Sequence, residues 1–377
     1  MPRAPRNLRT WVEIDARAAK KNYDAFRRLV GRRVKLWSVV KSNAYGHGLY
    51  AFTKLAETFG VDGFCVDSLV EGISLRKSGI KRPILVLGPT LPALFNEAVK
   101  HKITITISNF EALRALMRAR RVPEFHLKID TGMHRQGFYL EDLPRVIALL
   151  NASTPGIKTL LKGMYTHFAA AKDMRDVRYT EQQFKTFEAA AGILNGAGFK
   201  NLIRHASATG GTLLGPRYHS DAVRVGIGFH GVWPSPELER QLGKKIKLVP
   251  TLAWRAIVSE VKPLKKGDAV GYECTARAPR DMAMAVIPIG YWHGFPRALS
   301  NRGEVLIRGK RCNVLGRVSM DILVVAAPKG AKPGDIATLI GRDGRARITA
   351  DELARHTGTT AYEFLTRLNP LMERIVV

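Results

Sequence analysis

The sequence predicts an α/β barrel followed by a mostly antiparallel β domain. Three observations support this prediction. Between Val34 and about Gly228, eight short apolar runs alternate with longer amphipathic stretches. After Lys244, strand-like runs separated by Gly, Pro and Asp replace that alternation. The chain has 377 residues, which is long for a single domain and favours two domains of unequal size.

Each run in the first part is short, apolar and rich in β-branched residues, as is typical of parallel strands buried on both faces. The runs are Val34–Lys41, Val61–Asp67, Pro83–Leu87, Ile103–Ile107, Glu124–Asp130, Gly163–Phe168, Asn201–Ala206 and Ala222–Ile227. Helical patterns between them include Ser68–Ser78, Asn109–Arg120 and Thr180–Asn195. Eight strand–helix units over roughly 200 residues predict an eight-stranded (β/α)8 TIM-type barrel. An open doubly wound sheet is less favoured, because no Gly-x-Gly-x-x-Gly follows the first run.

The second part is predicted to be mostly antiparallel. Its strand-like runs are Thr251–Val261, Met282–Ile289, Glu304–Ile307, Val314–Val325 and Asp335–Ile340. Thr349-Ala-Asp-Glu352 has the spacing of a capping box and predicts a short helix. We place the barrel at residues 11–242 and the β domain at 243–377, with residues 1–10 as candidates to pack with the β domain.

Composition and charge restrict the classes of function. The net charge is +28, but the basic clusters are scattered along the chain, which favours a solvated basic surface over a nucleic-acid interface. No stretch of about 18 apolar residues is present, so no membrane span is expected. Three distant cysteines predict neither disulfides nor a metal site. Together with the lack of a signal sequence, they lead us to expect a cytoplasmic protein.

Lys41 lies at the end of the first predicted strand, in Val-Val-Lys41-Ser-Asn-Ala-Tyr45-Gly-His-Gly48. A lysine in that position would be poorly solvated, which favours the neutral, nucleophilic amine. The alternative is a lysine that simply extends to solvent. The ten-residue string resembles the pyridoxal-phosphate attachment site of the alanine racemases, a fold-type III family. The resemblance implies that Lys41 carries the cofactor as a Schiff base and that Tyr45 binds its phosphate.

Further motifs in the barrel match the same family. Lys128-Ile-Asp130-Thr-Gly-Met-His-Arg135 resembles the segment whose arginine orients the substrate carboxylate and whose lysine is carbamylated in many members. The resemblance assigns these roles to Arg135 and Lys128, although Lys128 and Asp130 could also simply pair with each other. In Tyr-Thr-His167-Phe, the resemblance predicts that His167 hydrogen-bonds the arginine that faces the cofactor ring, whereas an isolated histidine is more often structural.

The ring and phosphate positions follow later in the barrel. Arg224-Val-Gly226-Ile227 resembles the family segment whose arginine faces the pyridine nitrogen, and backbone amides there would bind the phosphate. Thr209 stands where the family has a phosphate-binding serine; the asparagine that usually precedes it is an alanine here. Near the C-terminus, Tyr362 matches the second phosphate tyrosine and would act with Tyr45.

The β domain carries the remaining matches. Val-Gly-Tyr272-Glu matches the segment with the second catalytic base, and Tyr291, Met320 and Asp321 match substrate-contact positions. The family usually has Ala-Asp where this chain has Trp292-His293. That difference lies near the expected substrate entrance, so amino-acid specificity stays open.

The resemblance implies a pyridoxal-phosphate enzyme that interconverts L-alanine and D-alanine. Lys41 and Tyr272 would act as two bases on opposite faces of the aldimine, in a homodimer with shared active sites. The D-alanine would supply cell-wall peptidoglycan. The alternatives are a broad-specificity or serine racemase, a fold-type III amino-acid decarboxylase, or a non-catalytic basic binding protein. Arg224 disfavours the decarboxylase, because such enzymes usually place an acidic residue at the ring nitrogen.

Overall fold

The computed structural model describes residues 7–153 and 155–377, without the side chain of Pro155. These residues form two compact units. One comprises Arg17–Ala44 and Phe52–Pro250, and the other comprises residues 7–16, Tyr45–Ala51 and Thr251–Val377. No helix within the described ranges has the length and apolarity needed to cross a membrane.

The first unit contains an eight-stranded parallel sheet that is nearly closed into a barrel. The first strand of the chain, β1 (Thr10–Ile14), belongs to the second unit. The strands of the barrel are β2 (Lys35–Val39), β3 (Gly63–Val66), β4 (Ile84–Pro89), β5 (Thr104–Ile107), β6 (Phe125–Lys128), β7 (Leu161–Tyr165), β8 (Ile203–His205) and β9 (Ala222–Val225). Neighbouring strands follow chain order from β2 to β8, and β9 pairs with β2. A bridge between Ala208 and Arg224 brings the two remaining edges together. The predicted barrel is confirmed.

Helices connect the barrel strands. The helical segments of the chain are α1 (Ala16–Val30), α2 (Lys41–Tyr45), α3 (Leu49–Phe59), α4 (Leu69–Lys77), α5 (Phe95–Lys100), α6 (Phe110–Arg118), α7 (Leu143–Ala152), α8 (Pro155–Leu160), α9 (Arg178–Gly196), α10 (Thr209–Leu214), α11 (Pro236–Leu242), α12 (Ala350–His356) and α13 (Ala361–Thr366). Ser68 caps α4 in a complete capping box with Glu71, and Asn109 caps α6 by accepting the N–H of Ala112 at 2.7 Å. These polar residues fix where the helices begin.

The second unit is mostly antiparallel, as predicted. Besides β1, its strands are β10 (Leu252–Ile257), β11 (Glu260–Leu264), β12 (Ala269–Val270), β13 (Ala276–Arg277), β14 (Met282–Ile287), β15 (Glu304–Ile307), β16 (Lys310–Asn313), β17 (Leu323–Ala326), β18 (Ile336–Asp343), β19 (Ala346–Ile348) and β20 (Glu373–Val376). The largest sheet has the order β16-β15-β18-β10-β1-β20, with β19 on β18. A second sheet pairs β11, β14 and β17.

Three details differ from the sequence analysis. Within the predicted run Val314–Val325, only the end is strand, and Val314 makes an isolated bridge to Val325. Thr349 caps α12 as expected, but Glu352 forms an ion pair with Arg311, so the reciprocal half of the capping box is not made. Strand β1 pairs with β10 and β20 of the second unit, whereas the sequence analysis assigned residues from 11 onward to the barrel.

Candidate active site

The carboxyl ends of the barrel strands carry several of the predicted site residues. Lys41 follows β2, Lys128 ends β6, His167 follows β7 and Arg224 lies in β9. Because all strands are parallel, these ends lie at the same mouth of the barrel, where barrel enzymes place their chemistry. The first unit therefore gathers four cationic or titratable groups at one end.

The amine of Lys41 is paired with a carboxylate. Its Nζ lies 3.1 Å from Oδ1 of Asp67, and 37% of the Lys41 side chain is exposed. The expectation of a poorly solvated amine is therefore wrong in this structure: Asp67, at the end of the neighbouring strand β3, provides a counter-charge. Sequence reasoning had not singled out Asp67, although it closes the second predicted strand run.

The backbone after Lys41 is left-handed. Ser42, Asn43 and Ala44 have φ values of 55°, 56° and 50°, and Tyr45 continues at 54°. Such values are uncommon for residues with a Cβ, and a run of them is held only when the surroundings impose it. Segment α2 is thus one left-handed turn that directly follows the lysine.

Glu71 holds this turn in place. Its Oε1 accepts the N–H of Ser42 at 2.7 Å, and its Oε2 accepts the N–H of Asp67 at 2.8 Å. One carboxylate thereby joins the segment after Lys41 to the segment that carries the partner of Lys41. Nothing in the sequence points to Glu71 as part of this site, although the spacing Ser68-x-x-Glu71 signals a capping box.

Asp130 organises the loop that carries Arg135. Its Oδ1 accepts the N–H groups of Gly132, Met133 and His134 at 2.9–3.0 Å, and its Oδ2 accepts that of Arg135 at 2.9 Å. Burial alone would raise the pKa of Asp130, but the four backbone donors together hold it below its ordinary value. The alternative pairing of Asp130 with Lys128 is not made, because the carboxylate is used by the loop.

The Arg224 guanidinium is buried and almost fully bound by protein acceptors. One terminal nitrogen donates to Nδ1 of His205 at 2.6 Å and to the His205 carbonyl at 2.7 Å. The other donates to the carbonyls of Thr166 at 2.7 Å and Ala206 at 3.0 Å. Among the described residues, no acceptor is paired with the remaining Nε–H. That donor fits a neutral ring nitrogen.

The histidine bound to Arg224 is His205, not His167 as predicted. His205 is fully buried, and its ring stacks on Tyr165 with centroids 4.8 Å apart and an interplanar angle of 5°. His167 is half-buried, and the loss of water around its ring lowers its pKa well below the ordinary value; the nearby charges of Arg224 and Lys128 lower this pKa further. The sequence signal for His205 was weak, since it lies inside a predicted strand.

Lys128 is a buried amine beside an aromatic ring. Only 5% of the residue is exposed, and its Nζ lies 4.6 Å from the centroid of the Tyr165 ring. Burial lowers the pKa of Lys128 well below its ordinary value; Arg224 and Arg135 lower it further, and Asp130 opposes them. A lysine in these surroundings favours its neutral, nucleophilic form.

The predicted phosphate region contains a buried donor without an acceptor. Oγ1 of Thr209 accepts the N–H groups of Gly226 at 3.1 Å and Gly228 at 3.4 Å, which leaves its own O–H free to donate. The backbone N–H of Ile227 has no acceptor within the described ranges, and Ile227 is 1% exposed. A buried, unsatisfied donor is costly, and an anion bound here would satisfy it.

In the second unit, Tyr45 and Tyr362 lie together. Their ring centroids are 6.2 Å apart, and burial raises the pKa of Tyr362, with Tyr45 adding to the effect. Gly46 has a φ of 84°, and a Cβ there would lie 2.0 Å from the carbonyl oxygen of Leu365. The Gly46 carbonyl accepts two N–H donors of Arg374 at 3.1 and 3.2 Å. The two predicted phosphate tyrosines are thus brought together.

Tyr272 is exposed on a tightly constrained turn. It has 68% of its surface accessible, and it lies between Gly271 and Glu273, whose φ values are 72° and 59°. Glu273 accepts two hydrogen bonds from Arg317, at 2.7 and 3.1 Å. The phenol is therefore presented outward from a backbone that this ion pair stabilises.

The remaining predicted substrate positions lie in the second unit. Tyr291 is 43%, Trp292 57% and Met320 56% exposed, and the backbone N–H of Trp292 donates to the Met320 carbonyl at 3.0 Å. His293 is buried instead, and its Nδ1 accepts the N–H of Gly290 at 3.2 Å and lies 3.9 Å from Oδ1 of Asp321. Of the two unusual residues, only Trp292 faces outward.

Comparisons with known proteins agree with these features. The family model for the alanine racemase N-terminal domain matches residues 14–234, and that for the C-terminal domain matches residues 251–376. An alanine racemase of Leptospira interrogans is 35% identical over 98% of this chain and 96% of its own length. An alanine racemase of Symbiobacterium thermophilum is 38% identical, with 97% and 96% covered.

Solved structures of racemases are also similar to this chain. The alanine racemase of Bacillus anthracis with bound L-Ala-P is 33% identical and aligns with a TM-score of 0.92 over 99% of this chain and 96% of that one. A histidine racemase of Leuconostoc mesenteroides is 30% identical and aligns with a TM-score of 0.85 over 99% of both chains.

Proposed function

Because this chain belongs to the alanine racemase family, we propose that it interconverts L-alanine and D-alanine with pyridoxal 5′-phosphate as cofactor. The observation that carries the proposal is the barrel mouth itself. There Lys41 follows β2 with its amine 3.1 Å from Asp67, and the buried Arg224 keeps one N–H for which the described part of the chain offers no acceptor.

The residues present fit the cofactor. The free Nε–H of Arg224 suits the pyridine nitrogen, and a permanently charged guanidinium would leave that nitrogen unprotonated. The unpaired N–H of Ile227 and the O–H of Thr209 suit the phosphate. Tyr45 and Tyr362 are proposed as further phosphate donors, and Lys41 as the residue that holds the aldehyde carbon.

The chemistry that pyridoxal phosphate supplies when bound is acidification of the Cα proton of an amino acid. Racemisation then needs a group that accepts this proton on one face of the carbon and a group that donates a proton to the opposite face, with the two roles exchanged in the reverse direction. We propose that Nζ of Lys41 serves one face and Oη of Tyr272 the other, with Arg135, Tyr291, Met320 and Asp321 binding the substrate. The charge of Asp67 and the turn held by Glu71 fix the position of the lysine.

We further propose a homodimer in which the partner subunit's Tyr272 completes each site. Tyr272 is largely exposed within its own unit, which suits a group that serves another chain. Mixing Lys41→Ala and Tyr272→Phe chains should restore activity, because one site of the mixed dimer then has both bases. No recovery after verified subunit exchange would refute the shared site.

We also propose that Lys128 is carbamylated. Burial lowers the pKa of its amine, and the deprotonated amine can add carbon dioxide and release one proton to solvent; the negative charge of the carbamate would offset the cations of Arg135 and Arg224 around it. Protein equilibrated with 13C-labelled bicarbonate should show one carbamate resonance that is absent in Lys128→Met. If both proteins give the same spectrum, Lys128 is not the modified residue.

The choice of amino acid is tested by direct competition. The fold of this chain also matches a histidine racemase, and the exposed Trp292 replaces the small residue that the family usually has. We expect the kcat/KM for L-alanine to exceed that for L-histidine and L-serine. A preference for either of the latter would reassign the substrate but not the reaction.

The deciding experiment incubates purified protein with L-alanine and measures D-alanine. Lys41→Ala should lose both racemisation and the absorbance band of the bound cofactor, whereas Lys54→Ala, at an exposed lysine in α3, should retain both. Retention of the same band in Lys41→Ala would refute the assignment. Growth of a D-alanine auxotroph carrying this protein would support a role in supplying peptidoglycan precursors.

A further inference from the structure

A cavity of about 670 Å³ opens at the amino-terminal end of the barrel. Lys35, the first residue of β2, lines it, as do Thr104 at the start of β5 and Lys162 in β7. Lys41 follows the other end of β2, so the cavity lies at the opposite end of the barrel from the proposed active site. In barrel enzymes this end normally contributes to stability, not to chemistry.

The carboxylates that line this cavity are already neutralised. Asp62 pairs with Arg27 and also accepts the N–H of Leu36 at 2.7 Å. Glu124 pairs with Lys162, with 3.5 Å between Oε1 and Nζ. Neither carboxylate is therefore free to balance additional positive charge in the cavity.

Three further lysines, Lys35, Lys158 and Lys200, also line the cavity and are exposed. None of them forms an ion pair with a carboxylate of the described residues. Three uncompensated positive charges around one concave surface create a local field that attracts anions.

A buried histidine, His126, is among the residues that line the cavity, and the hydrogen bonds around it fix the position of its proton. Arg224 can only donate, so Nδ1 of His205 must accept, and Nε2 of His205 carries its proton. That proton is donated to Nδ1 of His126, 2.8 Å away. The proton of His126 is therefore on Nε2, for which no acceptor is found among the described residues.

The surroundings keep His126 in this state. It is 3% exposed, and burial, followed by the charges of Arg224 and Lys35, lowers its pKa to about 3, so the ring is neutral. Gly163 makes room for the ring, because a Cβ there would lie 2.6 Å from Cε1 of His126. The hydrogen bond from Arg224 to His205, passed on from His205 to His126, therefore makes Nε2 of His126 a donor and not an acceptor.

We propose that this cavity is a second binding site, which takes a small polyvalent oxyanion of the phosphate class. The Nε2–H of His126 is its buried donor, and Lys35, Lys158 and Lys200 supply its charge. Lysines bind phosphate as point charges, and a polyvalent anion balances more than one of these charges at once. Anion binding in this cavity is independent of which amino acid is racemised at the other end of the barrel.

The test uses inorganic phosphate and the holoenzyme, by calorimetry at constant ionic strength. Lys35→Gln/Lys200→Gln removes two charges of the cavity. Lys244→Gln/Lys245→Gln, at exposed lysines after α11, removes two charges elsewhere. We expect phosphate to bind about tenfold more weakly or worse to the first variant and with unchanged affinity to the second. Trp37, which lines the cavity with its ring 5.9 Å from that of His126, should report binding by fluorescence.

Three results would overturn the proposal. The first is that the parent protein does not bind phosphate. The second is that both variants lose the same affinity, which would indicate only non-specific attraction to a chain of net charge +28. The third is displacement of phosphate by saturating alanine, which would place the anion at the other end of the barrel.

Discussion

Replacing Asp130 by asparagine should loosen the loop that carries Arg135. In the structure, one oxygen of Asp130 accepts three backbone N–H groups and the other accepts the N–H of Arg135. An amide has a single oxygen. It can keep the three bonds of Oδ1, but its nitrogen would then face the N–H of Arg135, a donor against a donor.

The expected cost follows from these bonds. A hydrogen bond to a charged group contributes about 1.5–3 kcal/mol, and a buried N–H left without an acceptor costs about 1–3 kcal/mol. The three remaining bonds also become weaker, because the acceptor is no longer charged. Asp130→Asn should therefore lower the free energy of unfolding by about 3 kcal/mol. Displacement of Arg135 should also raise the KM for alanine about tenfold or more.

Urea unfolding at one fixed protein concentration and steady-state kinetics measure both effects. Asp142→Asn is the matched control: within the described residues the Asp142 side chain accepts a single backbone N–H, that of Tyr139, and this variant should lose under about 1 kcal/mol of unfolding free energy. A change in Asp130→Asn no larger than that of the control, with an unchanged KM, would refute the role of Asp130.

The same substitution predicts a pH dependence. The pKa of Asp130 is lower in the folded protein than in the unfolded chain, so the ionised carboxylate stabilises the fold. This contribution to the unfolding free energy is complete above the ordinary carboxyl pKa of about 3.9 and is lost as the pH falls through the lower folded value. The difference in unfolding free energy between the parent and Asp130→Asn should shrink below about pH 4 and stay constant above about pH 5. A difference that grows on acidification would contradict the sign.

Two further predictions concern the turn after Lys41 and the loop beyond it. Glu71→Gln should reduce the rate of racemisation about tenfold, because the backbone turn after Lys41 loses its charged hydrogen-bond acceptor. The circular dichroism spectrum should stay unchanged, which would show that the fold is intact. Glu57→Gln, whose carboxylate accepts backbone N–H groups elsewhere, should leave the rate unchanged; equal losses would refute this role of Glu71. Gly46→Ala should cost more than about 3 kcal/mol of stability, since its Cβ would overlap a carbonyl oxygen. Gly267→Ala, with a φ of 91° but no atom within 4 Å of the added Cβ, should cost only about 1–2 kcal/mol in the same thermal or urea denaturation.

Local pattern was enough to predict the barrel. Each strand run is apolar, short and followed by an amphipathic helix, and that order leaves few ways to bury both faces of a parallel sheet. The capping residues of α4 and α6 are also readable, because a cap acts within four residues of sequence. The strand predicted over Val314–Val325 was too long, because Val314 and Val318 are buried in a loop that is not a strand, and Met320 in the same loop is exposed.

The sequence by itself determined the fold class, the family and the position of Lys41 at a strand end, because these depend on residues close together in the chain. The partners of those residues were decided only by tertiary structure. Asp67 and Glu71 reach Lys41 and its turn from the neighbouring strand and helix, and His205 takes the place at Arg224 that sequence had given to His167. Which hydrogen-bond partner a side chain finds depends on which residues of other strands face it inside the barrel. Residues that are distant in sequence come to face each other only when the sheet closes.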